Sequence, residues 1–399
     1  MNFESIKKIS VCEFSTSSTN ESYLVHYENR FFEVNRIMAL LIEIIKGSNT
    51  QEEAVHSFIQ STDGKYTEKS VIEIIDKFIN KLEGAPSNKK TFLLNKELIP
   101  AHIISKCTPF LSVLFEKKIM ITVLCILLGM ESYFMATSLS VLNMPAIDLY
   151  TICGLFLFFI LSSLFHELGH ASACQFYNIQ HGGIGFGLYL NFPVFYTDVS
   201  NTWTLPRKKR CIVNIAGVYF QILLLIPWLI IYFYTQNDIL KYVIIMTNIN
   251  FIITLNPFFK FDGYWLMTDL LGVANLRKKC GEYITYLFKR LKRKDTDKKP
   301  YLFSLRKREK IAMTVYTCLV NLFFGYYFLY VLPAFLVKFY KTFPEAFGNF
   351  ITELANHQVP NFYNLQKIAT QIFFLALTIY LLYRSFSPLF KRRSKWKPL

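Results

Sequence analysis

Apolar residues along the chain fall into two regimes. From about residue 119 they mass into six runs, near 119–142, 149–171, 211–234, 239–257, 311–336 and 367–386. Each run is about long enough for a helix to cross a ~30 Å hydrocarbon core. Before residue 85 they are spaced instead. Tyr23-Leu24-Val25-His26-Tyr27 and Arg30-Phe31-Phe32-Glu33-Val34 flank Glu28-Asn29 and predict two short strands. Arg36 to Lys46 carries helical apolar spacing and stops at Gly47. Thr50, with Glu53 in capping-box position, opens a second helix to about Ser61. Thr67 to Leu82 predicts a third, with Val71, Ile74, Ile75, Phe78 and Ile79 on its apolar face. The expected fold class is mainly α. It is a polytopic membrane protein with about six transmembrane helices, a membrane-associated β-hairpin and a small α+β, winged-helix-like N-terminal domain.

The hairpin expectation comes from His181 to Leu190, where glycines stand at 182, 183, 185 and 187. So many glycines make a poor helix. Extended backbone at membrane depth needs a protein shield or a water-filled cavity. A strand or hairpin is therefore expected there, with a plain cytoplasmic loop as the other reading. A free edge along 182–190 would hold an unfolded chain by backbone hydrogen bonds. The expected domains are 1–85, a cytosolic winged-helix domain, and 86–118, a linker beginning around Gly84-Ala85-Pro86-Ser87-Asn88 and an interfacial segment. Residues 119–336 form the transmembrane domain, with its core at 149–275. Residues 337–399 form an extracytoplasmic loop, the last helix and a basic tail.

Composition supports the membrane reading. Of 399 residues 52% are hydrophobic and 17% aromatic, and mean hydropathy is +0.28. The net charge of +16 raises the question of nucleic acid. The basic residues instead sit beside apolar runs: Lys117-Lys118, Arg207-Lys208-Lys209-Arg210 and Lys391-Arg392-Arg393. The stretch from Arg277 to Lys310 adds 14 Lys/Arg against 4 Asp/Glu. The positive-inside rule places all of these on one side of a cell membrane, with both termini cytoplasmic and no nucleic-acid partner. Eight cysteines without a CxxC pair read as free thiols. No cleavable signal peptide is expected, because the first run of membrane length begins near Ile119.

Chemistry enters with Phe165-His166-Glu167-Leu168-Gly169-His170, which ends the second run. Histidines four apart on a helix lie about 40° apart around the axis and roughly 6 Å along it, so both imidazoles reach one metal ion. Glu167 then stands as general base toward a metal-bound water. The fourth run closes with Asn256-Pro257-Phe258-Phe259-Lys260-Phe261-Asp262-Gly263. Pro257 breaks the helix and Asp262 offers a third, carboxylate ligand, which leaves an open position as catalytic zinc sites do. His166, His170 and Asp262 are thus the candidate Zn2+ ligands and Glu167 the catalytic residue. Gly185, Gly187, Asn191 and Asn256 are candidate substrate contacts. His181 and Asp198 read as loop residues or extra ligands. Gln221, Asn248 and Asn250 read as interhelical hydrogen bonds or substrate contacts, and Glu131, a carboxylate within the first run, has no assigned role.

These motifs resemble the site-2 protease family of intramembrane zinc proteases. The likeness rests on His166-Glu167-Leu168-Gly169-His170, on Asn256-Pro257 and on Phe261-Asp262-Gly263, and covers about residues 149–275. Phe192 to Ser200, Leu205 to Arg210 and Asp269 to Arg277 resemble the subgroup of peptide zinc metalloproteases associated with modified-peptide or bacteriocin clusters. The Tyr23–Val34 hairpin, Ile37 to Leu41 and Gly47 to Thr50 resemble PqqD-like leader-binding domains. Ala216-Gly217-Val218 stands where the family often has Ala-Gly-Pro, and Lys260 where many members are apolar. The resemblance implies a zinc endopeptidase that cuts a ribosomally made precursor peptide. It also implies a leader peptide at the N-terminal domain and an ABC exporter as partners. Cleavage of a regulatory membrane protein, or a catalytically silent role in peptide binding, export or immunity, stays open.

Overall fold

The computed structural model describes residues 9–27, 30–84, 95–138, 149–189, 192–293, 299–356 and 362–393. Its chain is mostly helical, with two small sheets, and forms two compact units. One comprises residues 1–90, 96–186 and 195–314, and the other residues 91–95, 187–194 and 315–399.

The first unit begins with an antiparallel sheet of β1 (Ser10–Glu13), β2 (Ser22–Tyr27) and β3 (Arg30–Asn35) in that order. The sequence pattern predicts β2 and β3; β1 is an addition, with Val11 opposite Val25. Three helices follow: α1 (Arg36–Gly47), α2 (Gln51–Ser61) and α3 (Glu68–Gly84). Asn35 caps α1 by accepting from the Met38 N–H (3.0 Å), and Thr50 caps α2 by accepting from the Glu53 N–H (3.2 Å). Val25, Leu41, Ile42, Ile45, Phe58, Val71, Ile75 and Leu82 close a buried core between sheet and helices.

Between β1 and β2 the chain leaves this sheet as a strap. The Ser17 N–H donates to Gly272 O (3.0 Å) and the Thr19 N–H to Ser304 O (2.7 Å). Phe14 buries against Leu24 and Ala274, with Trp203 beside them. Lys279 reaches Glu33 (3.4 Å) and lies 3.4 Å over the Tyr301 ring. Burial pulls the Lys279 ammonium below its ordinary pKa, and the Glu33 carboxylate opposes that pull. The N-terminal domain is thus tied to the rest of its unit by backbone and charge.

Four stretches among the described residues are helical, long and apolar enough to cross a membrane: Lys117–Ser138, Tyr150–Phe176, Arg207–Thr235 and Lys307–Ala355. We call the first α6, after the short helices α4 (Ala101–Ile104) and α5 (Thr108–Ser112). The second belongs to α7 (Leu149–Phe176), and the third is α8. The fourth expected span coincides with α9 (Asp238–Thr254), 17 residues or about 25 Å long. The chain then turns into α10 (Asp262–Leu271) and α11 (Leu276–Leu291). Helix α8 is the hub, packed against α6, α7, α9 and α10, and it buries Phe220, Leu225, Leu229 and Tyr232 completely.

The last helices correct one expectation. The loop read from residue 337 is helical as far as Ala355. Helix α12 (Lys307–Tyr326) continues through a π-helical turn, Tyr327–Val331, into α13 (Leu332–Ala355). The run of 49 residues exceeds what one bilayer crossing needs, so a single crossing would use only part of it. Aromatic residues at 335, 339, 343 and 347 follow one helical stripe, and Phe335 meets Phe374 of α14 (Phe362–Arg393) at 6.0 Å.

A second correction concerns the glycine-rich segment. Strand β5 (Ile184–Tyr189) forms within the expected segment, β6 (Phe192–Thr197) follows it beyond that segment, and β4 (Asn95–Ile99) joins them in the order β4-β5-β6. Strand β5 is therefore central, and the edge along 182–190 is not free. A Cβ at Gly183 would strike the Glu97 side chain and Ile99 O, so glycine there is what lets β4 come alongside. The polar Asn95, Lys96 and Glu97 hide this strand from an apolar pattern. All eight cysteines are free thiols.

Phe58 is fully buried in the N-terminal core. We expect Phe58→Ala to cost about 3–5 kcal/mol of local stability. Hydrogen–deuterium exchange on the full chain in detergent should show lost protection across α1–α3 with α7 and α8 unchanged.

Candidate metal centre

Helix α7 presents His166 and His170 on one face, one turn apart. Asp262 arrives from the first turn of α10, after the Pro257 break. The break is held locally, because the Asn256 side chain accepts from the Phe258 N–H (2.8 Å). Asp262 Oδ2 lies 3.0 Å from His166 Nε2 and 3.2 Å from His170 Nε2, and the two Nε2 atoms are 3.2 Å apart. The side chains of His166, His170 and Asp262 are 13%, 9% and 22% exposed, so the cluster is buried yet reachable from one side.

The remaining ring nitrogens decide what this triangle is. His170 Nδ1 is 2.8 Å from Val213 O, a carbonyl that only accepts. Nδ1 therefore carries the proton and the neutral ring leaves Nε2 bare. His166 Nδ1 lies 3.3 Å from Gln221 Oε1, and the Gln221 amide in turn donates to Ser162 Oγ (3.1 Å). That orientation also makes His166 Nδ1 the donor. Two bare imidazole nitrogens and a carboxylate oxygen then point at one another. One added proton relieves one edge of such a triangle, whereas a divalent cation relieves all three. Ligand atoms on a tetrahedral zinc stand about 3.3–3.6 Å apart, close to what is observed, so this donor set fits Zn2+.

Close helix approach makes the geometry possible. A Cβ at Gly217 of α8 would run into the His166 imidazole, and one at Gly169 of α7 would strike Ala216 O and Phe220. These two glycines let α7 and α8 touch at the ligand level. Val213, Gly217 and Gln221 recur at four-residue spacing, so one face of α8 backs both histidines.

Glu167 follows the first ligand, is 8% exposed, and its backbone carbonyl accepts from Thr197 Oγ1 of β6 (3.3 Å). The other singled-out residues separate. His181 Nδ1 bonds Gly182 O (2.8 Å) and stands outside the cluster. Asp198 accepts from the Ser200 N–H (2.9 Å) as a turn cap. A Cβ at Gly185 would run into the Tyr196 ring. Gly187 is a buried residue of β5, and Asn191 lies outside the described residues. Asn248 donates to both Glu131 oxygens (3.1 Å each), and Asn250 to Gln221 (3.5 Å). Gln221, which sequence reasoning leaves between interhelical bond and substrate contact, bonds the candidate ligand His166; its amide within an apolar run is the signal.

No protein-family model matches the chain, and no solved structure matches it. The sequence is similar to a protein of Bacillus subtilis (strain 168) named "Putative peptide zinc metalloprotease protein YydH", at 27% identity over 119 residues. That stretch is 29% of this chain and 47% of the relative, so the match spans about half the relative's length. The likeness points to a zinc metalloprotease. The buried His-His-Asp triangle accords with that chemistry and does not depend on it.

Two substitutions test the centre. Gln221→Leu removes the acceptor that orients His166 and should weaken zinc binding by about 10–100-fold, read by competition with a chromophoric chelator. Gly217→Val drives a side chain into the His166 ring and should abolish tight binding in the same assay.

Proposed function

We propose that this protein is a membrane-embedded zinc endopeptidase of the site-2 protease type, and that it matures a ribosomally made precursor peptide. The observation that carries the reading is the buried triangle of His166, His170 and Asp262 on helices α7 and α10, with Glu167 adjoining it. Helix α7 is also long and apolar enough to cross a membrane. The proposed topology has six spans, with α9 and α14 as the fourth and sixth. The basic clusters, and so both termini, lie in the cytoplasm. His166 and His170 then sit near the cytoplasmic end of their span, where water is supplied.

A bound zinc supplies Lewis acidity there, which acidifies water and polarises a carbonyl. The chain's own residues do the rest. Val213 O and Gln221 hold the imidazoles in the tautomer that leaves both Nε2 atoms free. Glu167 takes a proton from the water that attacks the scissile carbonyl and returns it to the leaving amine. Its low exposure keeps bulk water from competing for that proton.

The substrate's cleavage segment lies extended. Because β5 is central, the strand that receives it is β6, whose Thr197 touches the Glu167 turn. In the N-terminal sheet β3 is an edge strand, and beside it Val34, Met38, Ile74 and Phe78 line a groove of about 310 Å3. A leader peptide adding to β3 would place apolar side chains in that groove. Leader capture and cleavage then belong to separate surfaces of one chain.

Mass spectrometry of small peptides from cells carrying the unaltered protein or Glu167→Gln tests this reading. The variant keeps all three metal ligands and should bind zinc normally while a longer precursor accumulates and the shorter product disappears. Matching peptide pools, together with altered pools on deletion of the whole gene, would overturn the protease reading in favour of peptide binding or export.

A further inference from the structure

Arg207 to Arg210 fall among the basic residues that membrane topology explains, yet two of the four turn inward. Arg210 is 2% exposed. Its Nε donates to Asp269 Oδ1 (2.5 Å), its Nη1 to Leu205 O (3.0 Å) and its Nη2 to Ser15 O of the strap (3.1 Å). The guanidinium also lies over the rings of Phe14 (5.2 Å) and Trp203 (5.4 Å). Asn214, one turn on, donates to the other Asp269 oxygen (2.7 Å). Arg207 completes the grip, with Nε donating to Asp269 O (3.0 Å) and Nη2 to Leu270 O (2.5 Å).

The bonds to Asp269 and Leu270 converge on the last turn of α10, whose first turn carries Asp262. The helix has ten residues, so seven residues, or about 10 Å of rigid helix, separate Asp269 from the third ligand. The same helix holds the other two candidate ligands through Val213 and Gln221. One helix therefore grips α10 through Arg207, Arg210 and Asn214, and both histidines through Val213 and Gln221. Burial pushes the Asp269 carboxyl up from its ordinary value against the pull of Arg210, so a charged Asp269 here depends on that partner.

We propose that Arg210 is a positioning residue. Through Asp269 it fixes α10, and thereby sets the place of Asp262 in the metal triangle. The strap at Ser15 joins the N-terminal domain to the same guanidinium. The proposal rests on the metal-centre reading, but concerns how the third ligand is held and not which peptide is cut.

A buried ion pair that loses one partner leaves an unpaired charge, so R210M by itself risks unfolding. The informative variant is R210M/D269L, which removes both charges and fills the site with apolar volume. Full-length protein in detergent would be stripped of metal and titrated with cobalt(II), with the d–d absorption as readout and thermal unfolding as control. The expected result is a fold that survives, a cobalt affinity lowered about tenfold or more, and a shifted absorption envelope from the loosened carboxylate. R210K keeps the charge but not the three-nitrogen fork, and should show the same loss in smaller degree. It carries the test if the double variant does not accumulate. Unchanged affinity and spectrum in a folded variant would overturn the positioning role and leave the metal centre standing. An unaltered chain that binds no cobalt would remove the metal centre and this proposal with it.

Discussion

Two imidazole nitrogens and a carboxylate oxygen held about 3 Å from one another repel unless something positive lies between them. Everything around the site in this protein works to keep that arrangement. Val213 O pins one ring and Gln221 the other, and glycines at 169 and 217 bring α7 and α8 into contact at the ligand level. One bound cation would satisfy all three corners of such an arrangement at once.

The apolar surroundings sharpen this. Among membrane-spanning helices a polar side chain has few alternatives to a protein partner, and interhelical bonds there contribute about 1 kcal/mol each. Ser162, Gln221 and Asn250 form one chain of bonds ending on His166, and Asn248 with Glu131 forms another between α9 and α6. The first chain bears on the metal. The second joins two other helices, so a carboxylate within an apolar helix does not by itself mark chemistry.

Much of this was legible in the sequence. Histidines at i and i+4 followed by a distant Asp-Gly need no fold to be recognised as a ligand set, because helical spacing does the geometry. Strands β2 and β3 and helices α1–α3 announce themselves through periodicity and the cap at Thr50, whereas β1 and the cap at Asn35 do not. Other features were hidden for physical reasons. Strand β4 is short and half polar, and its partner is some 85 residues away in sequence, so nothing local marks Asn95–Ile99 as part of a sheet. The helix past residue 337 carries Pro344, which reads as a stop yet is accommodated within α13. The Arg207–Arg210 cluster satisfied a topological rule so well that its inward bonds to α10 left no trace in composition.

That last case bears on how such a site is assembled. A basic cluster at the start of a span has two available roles, anchoring the helix at the interface and bonding to its neighbours, and composition cannot separate them. Here they divide by helical face. Lys208 and Lys209 are exposed, whereas Arg207 is half-buried and Arg210 is enclosed by Asp269, Leu205 and Ser15. The guanidinium suits the second role because its donors are spread in a plane and stay charged when buried. An ammonium could meet one of those acceptors but not three on different elements. The same helix that orients the span thus also sets the distance between α7 and α10. The metal triangle can therefore close only when α8, the strap and the last turn of α10 are in register.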